Sequence, residues 1–357
     1  MDGIAGTLAA ERPVGAPDHA AMALQRLSPT ADAAPSPYLK VQFGRSSTLD
    51  IVFTKSHMPA GTFCMTDMVA ESSNTIVHVN VTNNDYYQNG IPGITDSIQQ
   101  TAAWLSAVRD CLGASCVRTA GLSMGAYAAV LFGDMIDADL IFSFSAVVKP
   151  GHLTLGQKTS FRDIAARLRT VVPRTVITFG AFELCEYRYL QHCLDAGVDL
   201  DEIVWMPNFH PGAGSLNFHA LFRAPDVVPI EAVVKQRYDS PLDLGDVAAL
   251  SAAFGSVYHG RHAEVVTMLG SILERDPGNP ELYYRLGVHL VLSGDTGPAL
   301  PAFRTARTIF EEVNAAAGRD ILGPMQDLKR RSVKDYAHLL KYDQLRAVHA
   351  AIDEALL

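Results

Sequence analysis

One pentapeptide constrains the fold of this chain more than any other part of its sequence. Residues 121–125 read Gly-Leu-Ser-Met-Gly, which is a G-x-S-x-G motif. A short apolar run over residues 116–120 precedes the motif, and a run of small, helix-forming residues follows it. A strand that turns sharply into a helix around such a motif is typical of a nucleophile elbow. The pattern predicts a strand–turn–helix unit with Ser123 at the turn.

The small residues around Ser123 are what the chemistry of the motif requires. The turn is so tight that only glycine-like neighbours avoid a clash, and Gly121 and Gly125 meet this need. It lifts the Ser123 Oγ clear of the backbone at a helix N-terminus, whose amides stabilise developing negative charge. The structural alternative is a Gly-Ser turn that merely joins a buried strand to a buried helix. The flanking strand and the Ala-rich helix favour Ser123 as a nucleophile.

Composition excludes several classes of function. Of the 357 residues, 48% are hydrophobic and 19% are charged, which allows a large core and about two domains. A net charge of -9 and the lack of a Lys/Arg run argue against binding to nucleic acid or to an anionic membrane. The five cysteines are odd in number, lack metal-type spacing and fit a reducing compartment. Neither a bilayer-spanning run nor a secretory signal is visible. We expect a soluble cytoplasmic protein with no metal and no cofactor.

Strand and helix patterns alternate from residue 38 to about residue 240. Helical segments fill most of the gaps between seven β-rich runs, at residues 39–43, 49–54, 75–81, 116–120, 140–148, 175–180 and 202–206. This alternation predicts an α/β fold of the α/β-hydrolase type, with a mainly parallel sheet covered by helices on both faces. Functional residues in such sheets lie at the carboxyl ends of the strands. Residues 1–37, rich in Ala, Pro and Asp, are expected to form a weakly ordered lead-in.

Beyond residue 240 the strand pattern ends, and residues 241–357 are predicted to form an all-α domain. Residues 280–306 fit a tetratricopeptide repeat, in which Gly and Ala allow close helix approach and larger side chains fill the gap. The matching residues are Tyr283, Leu286, Gly287, Leu290, Ala299, Phe303 and Ala306. The preceding unit is degenerate, and residues 329–357 are expected to add one or two capping helices. A generic helical bundle is the alternative.

An elbow serine needs a base and an orienting acid, which follow it in the order serine, acid, histidine. The acid is expected just past the next-to-last strand, where Glu183 is the first candidate and Glu186 the second. Both could instead flank the helix that begins there, where acids suit the positive end of the dipole. The histidine is expected after the last strand, and His219, which opens a predicted helix, is preferred to His210. Either would accept the Ser123 proton and return it to the leaving group.

Two loops are candidates for the rest of the site. The oxyanion hole is expected to combine the Met124 amide with an amide from the loop after an early strand, where Ser56 and His57 are the candidate donors. Tyr86 and Tyr87 lie in a loop rich in Asn and Gly that follows the third strand. Their rings could bind a sugar or a polar acyl acceptor as part of the substrate. Equally, they could cover the edge of the sheet.

Residues 38–235 resemble the α/β-hydrolase superfamily, through the elbow at Ser123 and the order of acid and histidine. The segment N-D-Y-Y-Q-N-G-I, followed by G-L-S-M-G-A-Y-A-A, is similar to a group of bacterial α/β-hydrolase-like proteins associated with surface-glycan biosynthesis. Residues 246–310 resemble tetratricopeptide repeats, which usually bind a protein partner. The chain departs from the superfamily pattern in three ways: Glu stands in for the commoner Asp, and both an H-G-G-G oxyanion motif and a lipase-type lid are missing.

These features predict a serine esterase or acyltransferase that works through a Ser123 acyl-enzyme. Hydrolysis and transfer share the first half-reaction, and the sequence does not separate them. The preferred substrate is a polar ester, such as one linked to a glycan, because no lipase-like lid or exposed apolar stretch is visible. A scaffold or accessory protein is the alternative from another class. Its helical repeats would bind a protein partner or a second copy, and its hydrolase domain would be weak or silent.

Overall fold

The computed structural model describes residues 36–357, with gaps at residues 70, 83, 146, 149–162, 172–173, 208–215, 224–229, 235–236, 258, 319–327 and 338. Almost all of the predicted lead-in, residues 1–37, therefore lies outside the described part of the chain. The predicted strands and most of the predicted helices lie within it.

A seven-stranded sheet occupies the first half of the described chain. Its strands are β1 Leu39–Gln42, β2 Thr48–Phe53, β3 Thr75–Val79, β4 Cys116–Leu122, β5 Leu140–Phe144, β6 Thr175–Gly180 and β7 Ile203–Met206. They lie in the order β1-β3-β2-β4-β5-β6-β7. Every neighbouring pair is parallel except β1 and β3. The predicted α/β fold with a mainly parallel sheet is confirmed.

Helices cover both faces of this sheet. They are α1 Thr66–Val69, α2 Ile98–Leu112, α3 Met124–Met135, α4 Ala165–Val171, α5 Glu186–Asp195, α6 Phe218–Arg223 and α7 Ile230–Val233. Successive side chains of a strand point to opposite faces. Ile51 and Phe53 accordingly join one apolar cluster, with α2 to α5, whereas Val52 joins a second cluster with α1 and α6. Burial on both faces explains why apolar residues stand at both inward-facing and outward-facing positions of β2.

A buried ion pair joins β2 to β4, the strand that leads into the elbow. Asp50 and Arg118 are paired in register across the two strands. Arg118 donates from Nε to Asp50 Oδ1 at 2.6 Å and from Nη2 to Oδ2 at 2.9 Å. Both side chains are almost fully buried, so a register slip would leave an unpaired buried charge, which is strongly unfavourable. The pair therefore fixes where β4 ends relative to β2.

The rest of the described chain is helical, as predicted. The helices are α8 Leu244–Val257, α9 His262–Leu273, α10 Pro280–Leu292, α11 Thr296–Ala316, α12 Leu328–Tyr336 and α13 Tyr342–Leu356. Helices α10 and α11 pack against each other, and Gly287 of α10 faces the Phe303 ring of α11. A Cβ on Gly287 would lie 2.7 Å from the Phe303 ring. No described helix is long and apolar enough to cross a lipid bilayer.

The helical region packs directly on the α/β region. One cluster of buried apolar side chains continues from Leu49 in β2 to Ala355 in α13. Helix α5 packs on α8, and Arg188 of α5 places its guanidinium over the Phe254 ring of α8 at 5.5 Å. The two regions therefore share one continuous core.

Candidate functional site

Ser123 lies between β4 and α3 in a strained backbone conformation. Its φ is 54° and its ψ is -117°, outside the regions that residues with side chains ordinarily adopt. Such a conformation costs about 1–3 kcal/mol and persists only where the surroundings impose it. The Ser123 N–H donates to the Phe144 carbonyl at 3.0 Å, and the Ser123 carbonyl accepts from the Tyr127 N–H at 3.2 Å. The predicted strand–turn–helix unit is present, with the serine at the helix N-terminus.

The two glycines of the motif are required by close backbone contacts. A Cβ on Gly121 would lie 2.1 Å from the Gly125 carbonyl oxygen, and a Cβ on Gly125 would lie 2.2 Å from the Phe53 carbonyl oxygen. Real Cβ atoms do not approach backbone this closely, and a side chain at either position would force the backbone apart. The end of β2, the end of β4 and the start of α3 therefore meet at the elbow.

A second serine ends the strand next to the elbow. Leu122 pairs with Phe144 in the β4–β5 register, so Ser123 and Ser145 each follow directly after a paired residue at the carboxyl edge of two neighbouring strands. Ser145 also has a positive φ, 57°, and its N–H donates to the Thr178 carbonyl at 3.0 Å. No motif marks Ser145 in the sequence, and only the register of the sheet brings it beside Ser123.

Glu186, the second acid candidate, lies directly beside Ser145. Its Oε1 accepts a hydrogen bond from the Ser145 hydroxyl, and its Oε2 accepts from the Gly180 N–H at 2.6 Å. The side chain is only 3% exposed and sits in the first turn of α5. Donors on both oxygens fix the orientation of the carboxylate.

Glu183, the first acid candidate, faces the helical region. Its Oε1 accepts from the Cys185 thiol at 3.1 Å, and the Arg285 Nη2 of α10 lies 3.9 Å from the same oxygen. Burial, followed by the charges of Glu183 and Glu186, raises the pKa of the Cys185 thiol well above its ordinary value. The thiol therefore stays protonated and able to donate. The Glu183 carboxylate is engaged at the junction between the two regions.

Of the two histidine candidates, the structure describes His219. His210 lies outside the described residues. His219 is exposed, at the second position of α6. Its neighbour Phe218 packs edge-on against the Phe144 ring at 5.5 Å, and the Phe144 carbonyl accepts the Ser123 N–H. Helix α6 thus begins at the carboxyl edge that carries Ser123, and the described contacts include no hydrogen bond between His219 and Ser123.

The segment after β2, where the second oxyanion donor is expected, lies against the elbow through the Phe53 carbonyl. Met124 is fully buried at the first position of α3. Ser56 is half-buried and His57 is exposed. The His57 N–H donates to Asn84 Oδ1 at 2.8 Å. The His57 amide is thus engaged by the loop after β3, and Ser56 is the candidate nearer in sequence to Phe53, whose carbonyl lies against Gly125.

Tyr86 and Tyr87 occupy different environments. Tyr87 is fully buried, with its hydroxyl 3.0 Å from the Thr54 carbonyl oxygen and 3.1 Å from that of Val79. Its ring belongs to the core, which is the structural role that the sequence left open. Tyr86 is half-buried and packs edge-on against Tyr127 at 5.5 Å. Of the two rings, Tyr86 is the one placed at the edge of the site.

Among the described residues, no group of three or more His, Cys, Asp or Glu side chains is arranged to hold a metal ion. The chemistry available at the carboxyl edge is that of two hydroxyls, Ser123 and Ser145, with the Glu186 carboxylate beside them. Compared with known proteins, the chain matches no family model, no curated protein and no solved structure.

Proposed function

We propose that this protein is a serine hydrolase, an esterase or acyltransferase, in which Ser123 is the nucleophile. The observation that carries the proposal is the backbone of Ser123, with φ 54° and ψ -117° at the N-terminus of α3. A strained strand-to-helix turn between two obligatory glycines is the geometry that presents a serine hydroxyl for attack. Strain at a residue whose surroundings impose it is a reason to infer function there.

In the proposed reaction, Ser123 Oγ attacks the ester carbonyl while a histidine takes its proton. The tetrahedral oxyanion is stabilised by the Met124 amide at the helix N-terminus, together with an amide after β2. Collapse of this intermediate breaks the bond to the alcohol, which leaves with the proton from the imidazolium. Water or a second hydroxyl compound then attacks the Ser123 acyl-enzyme by the same route in reverse.

For the acid, the contacts favour Glu186 over Glu183. Glu186 is oriented by Ser145 and Gly180 beside the nucleophile, whereas Glu183 is directed at Arg285. An orienting carboxylate holds the histidine in the correct tautomer and stabilises the imidazolium that forms. A buried carboxylate whose orientation is already fixed suits that role.

For the base, we retain His219 as the first candidate. Helix α6 is anchored beside the elbow by the contact of Phe218 with Phe144. His219 is exposed, so its imidazole is accessible to a bound substrate. His210 remains the second candidate.

The proposed substrate is a polar ester. Tyr86 offers a partly exposed aromatic ring at the edge of the site, and Gln88 beside it donates from Nε2 to the Tyr127 hydroxyl at 2.9 Å. Aromatic rings next to amides bind sugars and polar acyl groups through their faces and hydrogen bonds. This environment favours an acylated carbohydrate over a long-chain lipid ester.

We further propose that α8 to α11 form two tetratricopeptide-like pairs. The close approach of Gly287 to Phe303 supports this, because the repeat depends on a small residue that faces a large one between paired helices.

Hydrolysis of a short-chain p-nitrophenyl ester tests the proposed nucleophile. We expect kcat/KM of Ser123→Ala to fall to background, on the order of 10⁶-fold for a full triad. The matched control is Ser145→Ala, which removes the neighbouring hydroxyl and should retain activity within about a hundredfold, since only the Glu186 orientation is weakened. A Ser123→Ala protein that is folded and as active as the wild type would contradict the proposal.

A further inference from the structure

The loop that leads into Glu186 is held by the helical region. Residues 181–185 connect β6 to α5, and Ala181, Phe182 and Leu184 are fully buried. Two of the hydrogen-bonding groups of this loop have partners in or next to α10. A loop that carries a functional group usually lies at the surface. Here it is covered by another part of the chain.

The side-chain amide of Asn279 connects the loop to the start of α10, because its oxygen bonds to the helix and its nitrogen bonds to the loop. Its Oδ1 accepts from the Glu281 N–H at 3.1 Å, which caps the helix. Its Nδ2 donates to the Ala181 carbonyl at 3.0 Å and to Asp276 Oδ2 at 3.0 Å. The side chain is fully buried, so water does not replace these bonds when they are lost.

Glu281 makes the second tie to the same loop. Its Oε1 accepts from the Leu184 N–H at 3.4 Å and from Arg285 Nε at 2.7 Å, and its Oε2 accepts from Arg331. All three charged side chains are buried. Burial raises the pKa of the Glu281 carboxyl, and the charges of Arg285 and Arg331 oppose that shift. The hydrogen bonds from the two arginines hold the carboxyl group in place. A buried network in which each member is paired has one low-energy arrangement.

We propose that Asn279 and Glu281 are positioning residues for Glu186, so that the helical region is an integral part of the catalytic unit. The proposal rests on the proposed function. The path is short: Asn279 and Glu281 fix the backbone at Ala181 and Leu184, and the Glu186 N–H in turn donates to the Glu183 carbonyl at 3.0 Å. Displacement of a catalytic group by about 1 Å costs on the order of 10²-fold in rate.

The variant Asn279→Ser removes the hydrogen bond to the Ala181 carbonyl but keeps the cap of helix α10. Serine caps helices as well as asparagine does, but its hydroxyl is too short to span to the Ala181 carbonyl. We expect kcat for the p-nitrophenyl ester to fall about tenfold, with KM within about twofold.

The control variant is Gly287→Ala, which disturbs the same helix two turns further on without touching the loop. A purely structural role for Asn279 predicts that both variants, at equal loss of thermal stability, retain wild-type kcat and KM per folded molecule. That result would overturn the positioning role alone. A wild-type protein without Ser123-dependent hydrolysis would instead contradict the proposed function, and the positioning role would fall with it.

Hydrogen exchange supplies a readout that does not depend on turnover. We expect the amides of residues 181–186 to exchange faster in Asn279→Ser than in the wild type, while Gly287→Ala leaves them unchanged. Unaltered exchange in Asn279→Ser would show that the loop keeps its place without the tie, and would overturn the proposal.

Discussion

At the scale of single residues, the site depends on a few backbone positions that admit little substitution. Ser123 keeps a positive φ because Gly121 and Gly125 let three segments meet around it. Ser145, which directly follows the neighbouring strand β5, donates a hydrogen bond from its hydroxyl to the Glu186 carboxylate. The proposed nucleophile and acid are therefore placed by neighbouring strand ends and by the first turn of α5.

The two candidate acids give a direct prediction. We expect Glu186→Gln to lower kcat/KM by about 10²–10⁴-fold, because loss of the orienting carboxylate leaves the histidine in the wrong tautomer. Glu183→Gln, its isosteric control three residues earlier, should change kcat/KM by less than about fivefold. Ester kinetics on both variants, with circular dichroism as a check of folding, provide the measurement. The reverse ranking would assign the role to Glu183.

A buried histidine away from the site gives a prediction for pH dependence. His78 of β3 is fully buried, and burial, assisted by the charge of Lys40 on the paired strand, lowers its pKa to about 4. Between pH 6.5 and 4 the unfolded chain takes up a proton at this residue and the folded chain does not, so stability falls as pH falls.

The effect of His78 amounts to about 2 kcal/mol at pH 5 relative to pH 7.5. We expect His78→Leu, which is similar in volume and cannot be protonated, to show that much less acid sensitivity than the wild type. Urea unfolding at several pH values measures the difference. Parallel stability curves for the two proteins would mean that the pKa of His78 is not lowered by folding.

Sequence and structure agree where the determinants are local, and Ser123 shows why. The motif, the preceding strand and the following helix all lie within some twenty residues, so the sequence predicts the elbow. The sequence does not predict the position of Ser145, because that position depends on the register between β4 and β5. The choice between Glu183 and Glu186 depends on contacts with α10, about a hundred residues away.

At the scale of elements, strand and helix identities follow from periodicity, whereas their ends follow from caps and packing. The run at residues 140–148 continues as apolar sequence, yet β5 ends at Phe144 because Ser145 takes a left-handed conformation. Helix α2 begins at Ile98, because the Ser97 hydroxyl caps it by accepting the Gln100 N–H. Local side-chain bonds of this kind set boundaries that hydrophobic periodicity does not show.

Two helical glycines have opposite surroundings, so replacement by alanine should change the free energy of unfolding in opposite directions. In α9, Gly270 has nothing near its Cβ position, so Gly270→Ala should raise the free energy of unfolding by up to about 1 kcal/mol through helix propensity. In α10, a Cβ on Gly287 meets the fully buried Phe303 ring. Overpacking costs about 1–3 kcal/mol, so Gly287→Ala should lower the free energy despite the same gain in propensity.

Urea unfolding of the two variants measures this difference in sign. A stabilised Gly287→Ala protein would show that α10 and α11 are not in close contact at this point, and would remove the support for a tetratricopeptide-like pair.

At the scale of the whole molecule, the α/β region and the helical region pack against each other. They share an apolar cluster and the buried charges around Glu281. Large apolar interfaces couple regions that would otherwise unfold separately. The sequence indicates two domains from the change of pattern near residue 240, but the extent of their contact depends on side chains brought together only by the fold.

Coupling of the regions predicts a single unfolding transition. Both tryptophans, Trp104 in α2 and Trp205 in β7, lie in the α/β region, whereas much of the helix signal at 222 nm comes from α8 to α13. Urea curves followed by fluorescence and by circular dichroism should therefore have the same midpoint. Two separated midpoints would show that the helical region unfolds independently of the sheet.

Covalent trapping tests directly whether Ser123 is a reactive nucleophile. The folded wild-type protein is treated with a fluorophosphonate, digested and mapped by tandem mass spectrometry, with Ser123→Ala treated in parallel. We expect one adduct per chain, on Ser123, and none on Ser145 or in the variant. A folded wild-type protein that carries no adduct on Ser123, or that carries it on Ser145, would show that Ser123 is not the reactive nucleophile.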